Sequence, residues 1–273
     1  MLKINEELKN LGIKPNKNLG QNFLISKSKI KKISELISEH KSQEVLEIGP
    51  GLGALTSEII NKKKSIICIE KDKNLYEYLN KKFKENKNIK LLNEDILKTD
   101  FSQFNKRNLL IFGNLPYNIS SKILNKYIDF FLNSEIDGIF MFQKEVADKI
   151  LKKKTKASQL SIRSNYFFNI KEVLKLKEID FWPPPKIKSS LLYFSPKKVS
   201  FSQKNMKNLS TFLSISFSSN RKTIINNLIT KYDKKKTLKI LSKLNIDPIL
   251  RPEKIKPELF IKLYKELEII DCC

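Results

Sequence analysis

At 273 residues with 40% hydrophobic content, the chain has the apolar material for one α/β domain plus a smaller appendage, and it is not a disordered polycation. Its 53 Lys and Arg against 29 Asp and Glu give a net charge of +24, which calls for a polyanionic partner, nucleic acid or an acidic membrane surface. No apolar run approaches the ~18 to 20 residues of a membrane span, residues 1–7 lack the apolar core of a secretion signal, and the expected location is the cytoplasm.

The charge is uneven: residues 181–273 carry +12 in a third of the chain, the same excess as the 180 residues before them, which favours a binding face in the C-terminal part. Lys, Asn and Ile are abundant throughout, as expected of an AT-rich genome, which discounts the charge argument. The three cysteines, Cys68 in an apolar run and Cys272-Cys273 at the end, give neither a disulfide framework nor a metal-ligand spacing. His40, the single histidine, sits in a polar stretch before a strand and reads as a solvated loop residue, which argues against His-dependent hydrolysis and a His-ligated metal.

Residues 28–37 show helical apolar spacing ahead of the first strand. Strand and helix patterns then alternate from about residue 45 to 195. Apolar runs at 45–48, 65–69, 89–92, 109–112 and 138–142 are short, rich in β-branched and aromatic residues, and spaced for crossover helices. They predict a parallel sheet covered on both faces. Helices are expected over 55–61, 74–84 and 120–132, with Gly53 allowing close packing and Ser120 or Ser121 as N-cap of the last. Runs at 166–174 and 190–194 predict an antiparallel pair closing one edge. Beyond Pro196 the pattern is helical only, over 206–217, 222–230, 238–244 and 257–267, broken by Asp247-Pro248 and Arg251-Pro252. The expected division is an α/β domain over 1–199 and a helical domain over 200–273.

The chemistry-bearing motifs sit at the ends of these strands. In Glu47-Ile48-Gly49-Pro50-Gly51-Leu52-Gly53 the glycines let the backbone approach a ligand closely, without the dinucleotide-type gap before a third glycine. Glu70, at the end of the second run, is placed to accept hydrogen bonds from ribose hydroxyls. Asp95, after the third, is placed to face the adenine edge of the same ligand. No Gly-Lys-Ser/Thr phosphate loop is present, which argues against a nucleoside triphosphate. In Phe112-Gly113-Asn114-Leu115-Pro116-Tyr117, Asn114 offers an acceptor for an exocyclic amine, Pro116 stiffens the turn, and Tyr117 offers a stacking face. This order on four successive strands fits S-adenosylmethionine better than NAD.

Together with Leu19-Gly20-Gln21-Asn22-Phe23-Leu24, Gln143-Lys144-Glu145-Val146-Ala147, Phe181-Trp182-Pro183-Pro184-Pro185-Lys186-Ile187, Phe217-Ser218-Ser219-Asn220-Arg221-Lys222-Thr223 and Arg251-Pro252-Glu253, the chain resembles the rRNA adenine N6-dimethyltransferases from about residue 17 to 264. The C-terminal matches place the resemblance with the bacterial small-subunit branch, which dimethylates two adjacent adenosines in a hairpin near the 3' end of 16S rRNA in the 30S particle. It implies a Rossmann-like S-adenosylmethionine-dependent domain with an N-terminal cofactor-covering segment, a small helical rRNA-binding domain and a role in subunit biogenesis; apart from the resemblance, a monomer is the default expectation. Asn22, Leu24, Gly49, Gly51, Glu70, Asp95, Ile96 and Asn114 would bind cofactor. Asn114 with the Leu115 carbonyl, Pro116, Tyr117 and Phe181 would form the catalytic site, the two rings holding an extruded adenine. Lys186, Arg221 and Lys222 would contact RNA. The family often has Tyr-Gly-Arg-Leu-Ser where this chain has Ala157-Ser158-Gln159-Leu160-Ser161, and Lys152, Lys153, Lys154 and Lys156 stand nearby as replacements for the missing Arg. Two alternatives are a 23S rRNA adenine N6-methyltransferase of the macrolide-resistance type and a non-catalytic ribosome-assembly or transcription factor on the same fold.

Overall fold

In a computed structural model, which describes residues 8, 12, 15–16, 19–62, 64–104, 108–130, 134, 136–151, 156–199 and 202–271, the predicted strands form one seven-stranded sheet. A short strand β1 (Phe23–Leu24) and helix α1 (Lys27–Ser38) precede β2 (Glu44–Ile48), α2 (Ala54–Ile59), β3 (Ser65–Ile69), α3 (Lys73–Lys82) and β4 (Ile89–Leu92). Then follow β5 (Leu109–Asn114), α4 (Ser120–Phe130), β6 (Asp137–Gln143), α5 (Lys144–Ile150), α6 (Gln159–Phe167), β7 (Phe168–Leu176), β8 (Phe181–Trp182) and β9 (Ser189–Pro196). The helical tail comprises α7 (Gln203–Ser216), α8 (Ile224–Leu228), α9 (Lys234–Lys243) and α10 (Pro257–Asp271).

The sheet order is β4-β3-β2-β5-β6-β9-β7. The first five strands run parallel, and β9 pairs antiparallel with β6, with Ile139 opposite Tyr193 and Met141 opposite Leu191. Side chains alternate between two covered faces. Leu110, Phe112, Ile139 and Met141 join Ile33 and Ile37 of α1 and Leu55 and Ile59 of α2 in one core cluster. On the other face, Phe140 and Phe194 pack on the ring of Tyr127 in α4. Strands buried on both sides are apolar at most positions, Glu47 of β2 being an exception, which is why they read as nearly continuous runs. Because chain order reverses at β2, with β3 on one side and β5 on the other, the carboxyl ends of β2 and β5 border the crevice where such sheets bind ligands.

Local signals explain the helix starts. Asp72 accepts the amides of Asn74 and Leu75 at the head of α3, and Ser158 and Ser161 cap α6 reciprocally. Gly53, at φ +72°, precedes α2, and a Cβ there would come within 2.9 Å of Leu79 and Phe83, so the close packing expected of this glycine is present. Ser120 starts α4 but donates its hydroxyl to the Tyr117 carbonyl, so it is not the accepting N-cap that was expected.

The chain divides into two compact units, Met1–Ala147 with Lys171–Pro196, and Asp148–Ile170 with Lys197–Cys273. This differs from a single cut at residue 200, because α6 packs against α7 and α10 and so belongs with the helices. The run at 166–174 is correspondingly split, with helix through Phe167 and strand from Phe168. Within the helical unit, Phe212 of α7 meets the rings of Tyr232 and Tyr264, and Phe217 stacks on Phe260.

His40 is not a solvated loop residue. Its side chain is 10% exposed, with Nε2 2.8 Å from Asp137 Oδ2 and Nδ1 2.9 Å from the Ser42 hydroxyl. Tyr193 donates to the same Asp137 oxygen, and Lys64 donates to the carbonyls of His40 and Ser42. The network ties the loop before β2 to the start of β6, a structural role. Lys152, Lys153, Lys154, Cys272 and Cys273 lie outside the described residues.

Candidate active site

A cavity of about 240 Å³ opens at the crevice bordered by β2 and β5. Its walls come from residues 19–24, the glycine loop after β2, Glu70 and Lys71 after β3, residues 94–96 after β4, and the turn after β5. Gly49 and Gly51 adopt φ of +65° and +59°, a left-handed backbone that side chains disfavour. A Cβ on Gly49 would meet nothing within 4 Å, so open space lies beside that backbone, whereas one on Gly51 would come within 3.0 Å of the Phe23 ring. Phe23 and Leu24 are held over the loop by pairing of β1 with β8.

Glu70 is 7% exposed, and its two carboxylate oxygens accept the amides of Gly51 (3.2 Å) and Asp72 (2.9 Å). Glu47, 2% exposed, accepts the Thr56 hydroxyl at 2.6 Å. Burial raises Glu70 to about 7 against the amide bonds that oppose it, and burial raises Glu47 to about 7, with the Glu70 charge adding to the rise. Among the described residues neither forms an ion pair. Burial also acts to raise Asp95, but hydrogen bonds from Lys71 and the Leu97 amide, with the charges of Lys71 and Lys98, outweigh it and hold this carboxyl below its usual range. Two buried carboxyls without a paired cation, beside open space along a glycine backbone, offer acceptors for a ligand that brings hydrogen-bond donors or positive charge.

Asn114 ends β5 with its amide nitrogen donating to the Asn22 carbonyl at 2.8 Å. That bond fixes the orientation of the amide and leaves Oδ1 as an acceptor in the cavity wall. Tyr117 is anchored through its hydroxyl to Ser189 of β9 at 2.7 Å, and burial raises its phenol above the usual value. Pro116 lines the cavity beside it, and Leu115 is buried, with its main chain in the same turn.

The model of one family, ribosomal RNA adenine dimethylase, matches residues 12–268. The chain belongs to that family. It is 42% identical to a Ribosomal RNA small subunit methyltransferase A of Pelagibacter ubique over 94% of this chain and 98% of the relative. The structure is similar to that of a dimethyladenosine transferase from Plasmodium falciparum, with TM-score 0.73, 26% identity, and coverage of 90% of this chain and 98% of the other. A 23S rRNA methyltransferase, ErmE, shares the fold at TM-score 0.68 and 22% identity, covering 90% of this chain and all of that one. Ribosomal RNA adenine dimethylases draw methyl groups from S-adenosylmethionine, a sulfonium cation with an adenosyl group.

Of the residues expected to form this dimethylase's site, Asn22, Leu24, Gly49, Gly51, Glu70, Asp95, Ile96, Asn114, Leu115, Pro116 and Tyr117 line one cavity. Phe181 is the exception. Its ring is 0% exposed, inside the core cluster with Leu24 and Leu191, and it is not among the lining residues. Pairing of Leu24 with Phe181 turns the ring inward, so stacking on a base would require it to leave that packing. Lys186 is exposed in the first unit, and Arg221 and Lys222 are exposed in the second. Asn227, wholly buried in α8, donates to the carbonyls of Ser216 and Ser219 and so fixes the loop that leads to Arg221. Of the replacement lysines, Lys156 pairs with Glu253 at 3.3 Å.

Sequence reasoning gave no role to Glu47, Asn227, Ser189 or the contact of Gln21 with Asp72. Glu47 carried a usable signal, since an acid inside a strand buried on both faces has no solvent to point to. The others pair across distances along the chain that no spacing rule reports. Glu47 leads to a stability prediction. Its carboxyl rises from an ordinary 4.5 to about 7, so between those values the folded chain holds a proton that the unfolded chain has released. Its contribution to stability falls as pH rises through that window, and the full cost persists above about 7. Glu47→Gln keeps an acceptor for Thr56 and removes the charge. Urea unfolding of the ligand-free protein should show a gain of about 3 kcal/mol at pH 8 that falls below about 1 kcal/mol near pH 5. A gain of equal size at both pH values would contradict the buried-charge explanation.

Proposed function

We propose that this dimethylase uses S-adenosylmethionine to dimethylate the N6 amines of two adjacent adenosines near the 3' end of 16S rRNA, in the 30S subunit or its precursor, and so contributes to subunit biogenesis. The similarity to small-subunit methyltransferases over nearly the whole chain supports this substrate. The observation that carries the chemistry is the bond from Asn114 to the Asn22 carbonyl, which leaves Asn114 Oδ1 as an acceptor next to the Tyr117 ring.

Bound in the cavity, S-adenosylmethionine supplies an electrophilic methyl group on a sulfonium sulfur. Glu70 would accept from the ribose hydroxyls, Asp95 and Ile96 would hold the adenine, and Asn22, Leu24, Gly49 and Gly51 would enclose the remainder. In their ionised forms Glu47 and Glu70 favour a cation over a neutral ligand. The adenine N6 lone pair is delocalised into the ring and nucleophilic only when localised. Asn114 Oδ1 and the Leu115 carbonyl, by accepting its two N–H bonds, favour that geometry and stabilise the positive charge that develops on nitrogen. Tyr117, fixed by Ser189, presents its ring to the base. The turn offers no side chain that titrates near neutrality, since the Tyr117 phenol lies above its usual value, so the excess proton leaves to solvent after transfer.

Lys186, Arg221 and Lys222 would meet the rRNA backbone. Phosphate contacts position RNA and make binding salt-dependent. Replacing both Arg221 and Lys222 by Gln should weaken binding to 30S particles and reduce the slope of log affinity against log salt by about 1.5. An unchanged slope would remove these residues from the interface.

The proposal is tested by expressing the protein in bacteria that lack their own small-subunit adenine dimethyltransferase and analysing 16S rRNA nucleosides by mass spectrometry. Restored N6,N6-dimethyladenosine is the expected result. Well-expressed, folded protein with unmodified 16S rRNA would contradict it.

A further inference from the structure

Residues 19–24 touch the loops of the cavity one after another. Gly20, at φ +64°, leaves room for Asn118, because a Cβ there would come within 3.0 Å of Asn118 Oδ1. The Asn22 carbonyl accepts the amide of Asn114, and the Phe23 ring covers Gly51. Gln21 makes the remaining link. Its Oε1 accepts the Asn16 amide at 2.7 Å, and its Nε2 donates to Asp72 Oδ2 at 2.9 Å. Asp72 is divided between three tasks: its other carboxylate oxygen caps α3, and its backbone amide donates to Glu70 Oε1. One path therefore runs by hydrogen bonds from Glu70 through Asp72 to the Gln21 side chain, along the main chain from Gln21 to Asn22, and by a further hydrogen bond from the Asn22 carbonyl to Asn114.

From this path we infer that Gln21 is a positioning residue that couples the cofactor carboxylate to the catalytic amide. The inference rests on the cofactor reading above. Gln21 lines the cavity, but its side-chain amide is engaged by Asn16 and Asp72. It holds the cover closed over the glycine loop, and with it the carbonyl that orients Asn114. Its amide is suited to this because it accepts from one partner and donates to the other in a single side chain. Loosening it would weaken cofactor retention and also slow transfer at saturating cofactor, since both Glu70 and Asn114 are tied to the same segment.

The test is a double-mutant cycle on binding of S-adenosylhomocysteine, measured by calorimetry on the full chain. Gln21→Ala removes the link, and Asp72→Ser removes its acceptor while keeping a capping oxygen for α3. Each single variant should bind about 5- to 10-fold more weakly, and the double variant no more weakly than the worse single. Hydrogen exchange in the ligand-free protein supplies a second readout: the amides of residues 22–24 should exchange faster in Gln21→Ala, while α4 stays protected. Single-turnover rate at saturating cofactor should fall as well, separating the effect from one on affinity alone. Multiplicative losses in the double variant, or unchanged affinity and exchange in Gln21→Ala, would overturn the inference while leaving the cofactor site intact. Failure of the wild-type protein to bind S-adenosylhomocysteine would overturn the cofactor reading and this inference together.

Discussion

Replacing Asn114 by Ala should lower single-turnover methyl transfer to rRNA by about 100- to 1,000-fold, the range found when one preorganised polar group is removed from a transition-state site. The loss arises because Oδ1 is one of two acceptors placed to localise the N6 lone pair, and because its own orientation is already fixed by the Asn22 carbonyl before substrate arrives. Asn114→Asp sharpens the point. It keeps an acceptor but sets a carboxylate against that carbonyl, so it should also fall well below the wild type. Binding of S-adenosylhomocysteine should change less than the rate in both variants. Transfer within about threefold of wild type in Asn114→Ala would remove the amide from the mechanism.

Glu70→Ala should weaken S-adenosylhomocysteine binding by roughly 100-fold or more, since hydrogen bonds to a charged acceptor contribute about 1.5 to 3 kcal/mol each. The substitution also orphans the amides of Gly51 and Asp72, which loosens the glycine loop itself. The wild-type pH dependence has a determined sign. Glu70 is raised to about 7 by burial, so it is substantially protonated in the ligand-free protein at pH 6. A ligand whose hydroxyls donate to the carboxylate binds more tightly as pH rises through 7. The contribution of the same group to stability runs the other way, falling as pH rises from 4.5 to about 7 and staying low above it. Calorimetric titration of the ligand between pH 6 and 8, beside urea unfolding of the ligand-free chain, checks both trends. Affinity independent of pH would show that the carboxylate form is not what the ligand selects.

The parallel sheet was legible because strands covered on both faces hold few polar residues, Glu47 excepted, and the residues at their carboxyl ends stood out for the same reason. Glu70, Asp95 and Asn114 are the polar interruptions where such strands stop. The features that escaped are those decided by contacts distant in the chain. β1 and β8 are two residues each, too short for any periodicity, yet they determine that Phe181 points into the core. The aromatic run Tyr166-Phe167-Phe168 suits helix or strand alike, and only packing of α6 on α7 and α10 assigns 148–170 to the helical unit. His40 read as solvated because its partner, Asp137, lies 97 positions away.

The most direct test of the central claim is transfer from labelled S-adenosylmethionine to undermethylated 30S particles, with 23S rRNA in parallel and the modified nucleosides identified and mapped. The account predicts N6,N6-dimethyladenosine at two adjacent positions near the 3' end of 16S rRNA, and little label in 23S rRNA. Label confined to 23S rRNA, or tight binding to the particle with no transfer at all, would contradict it.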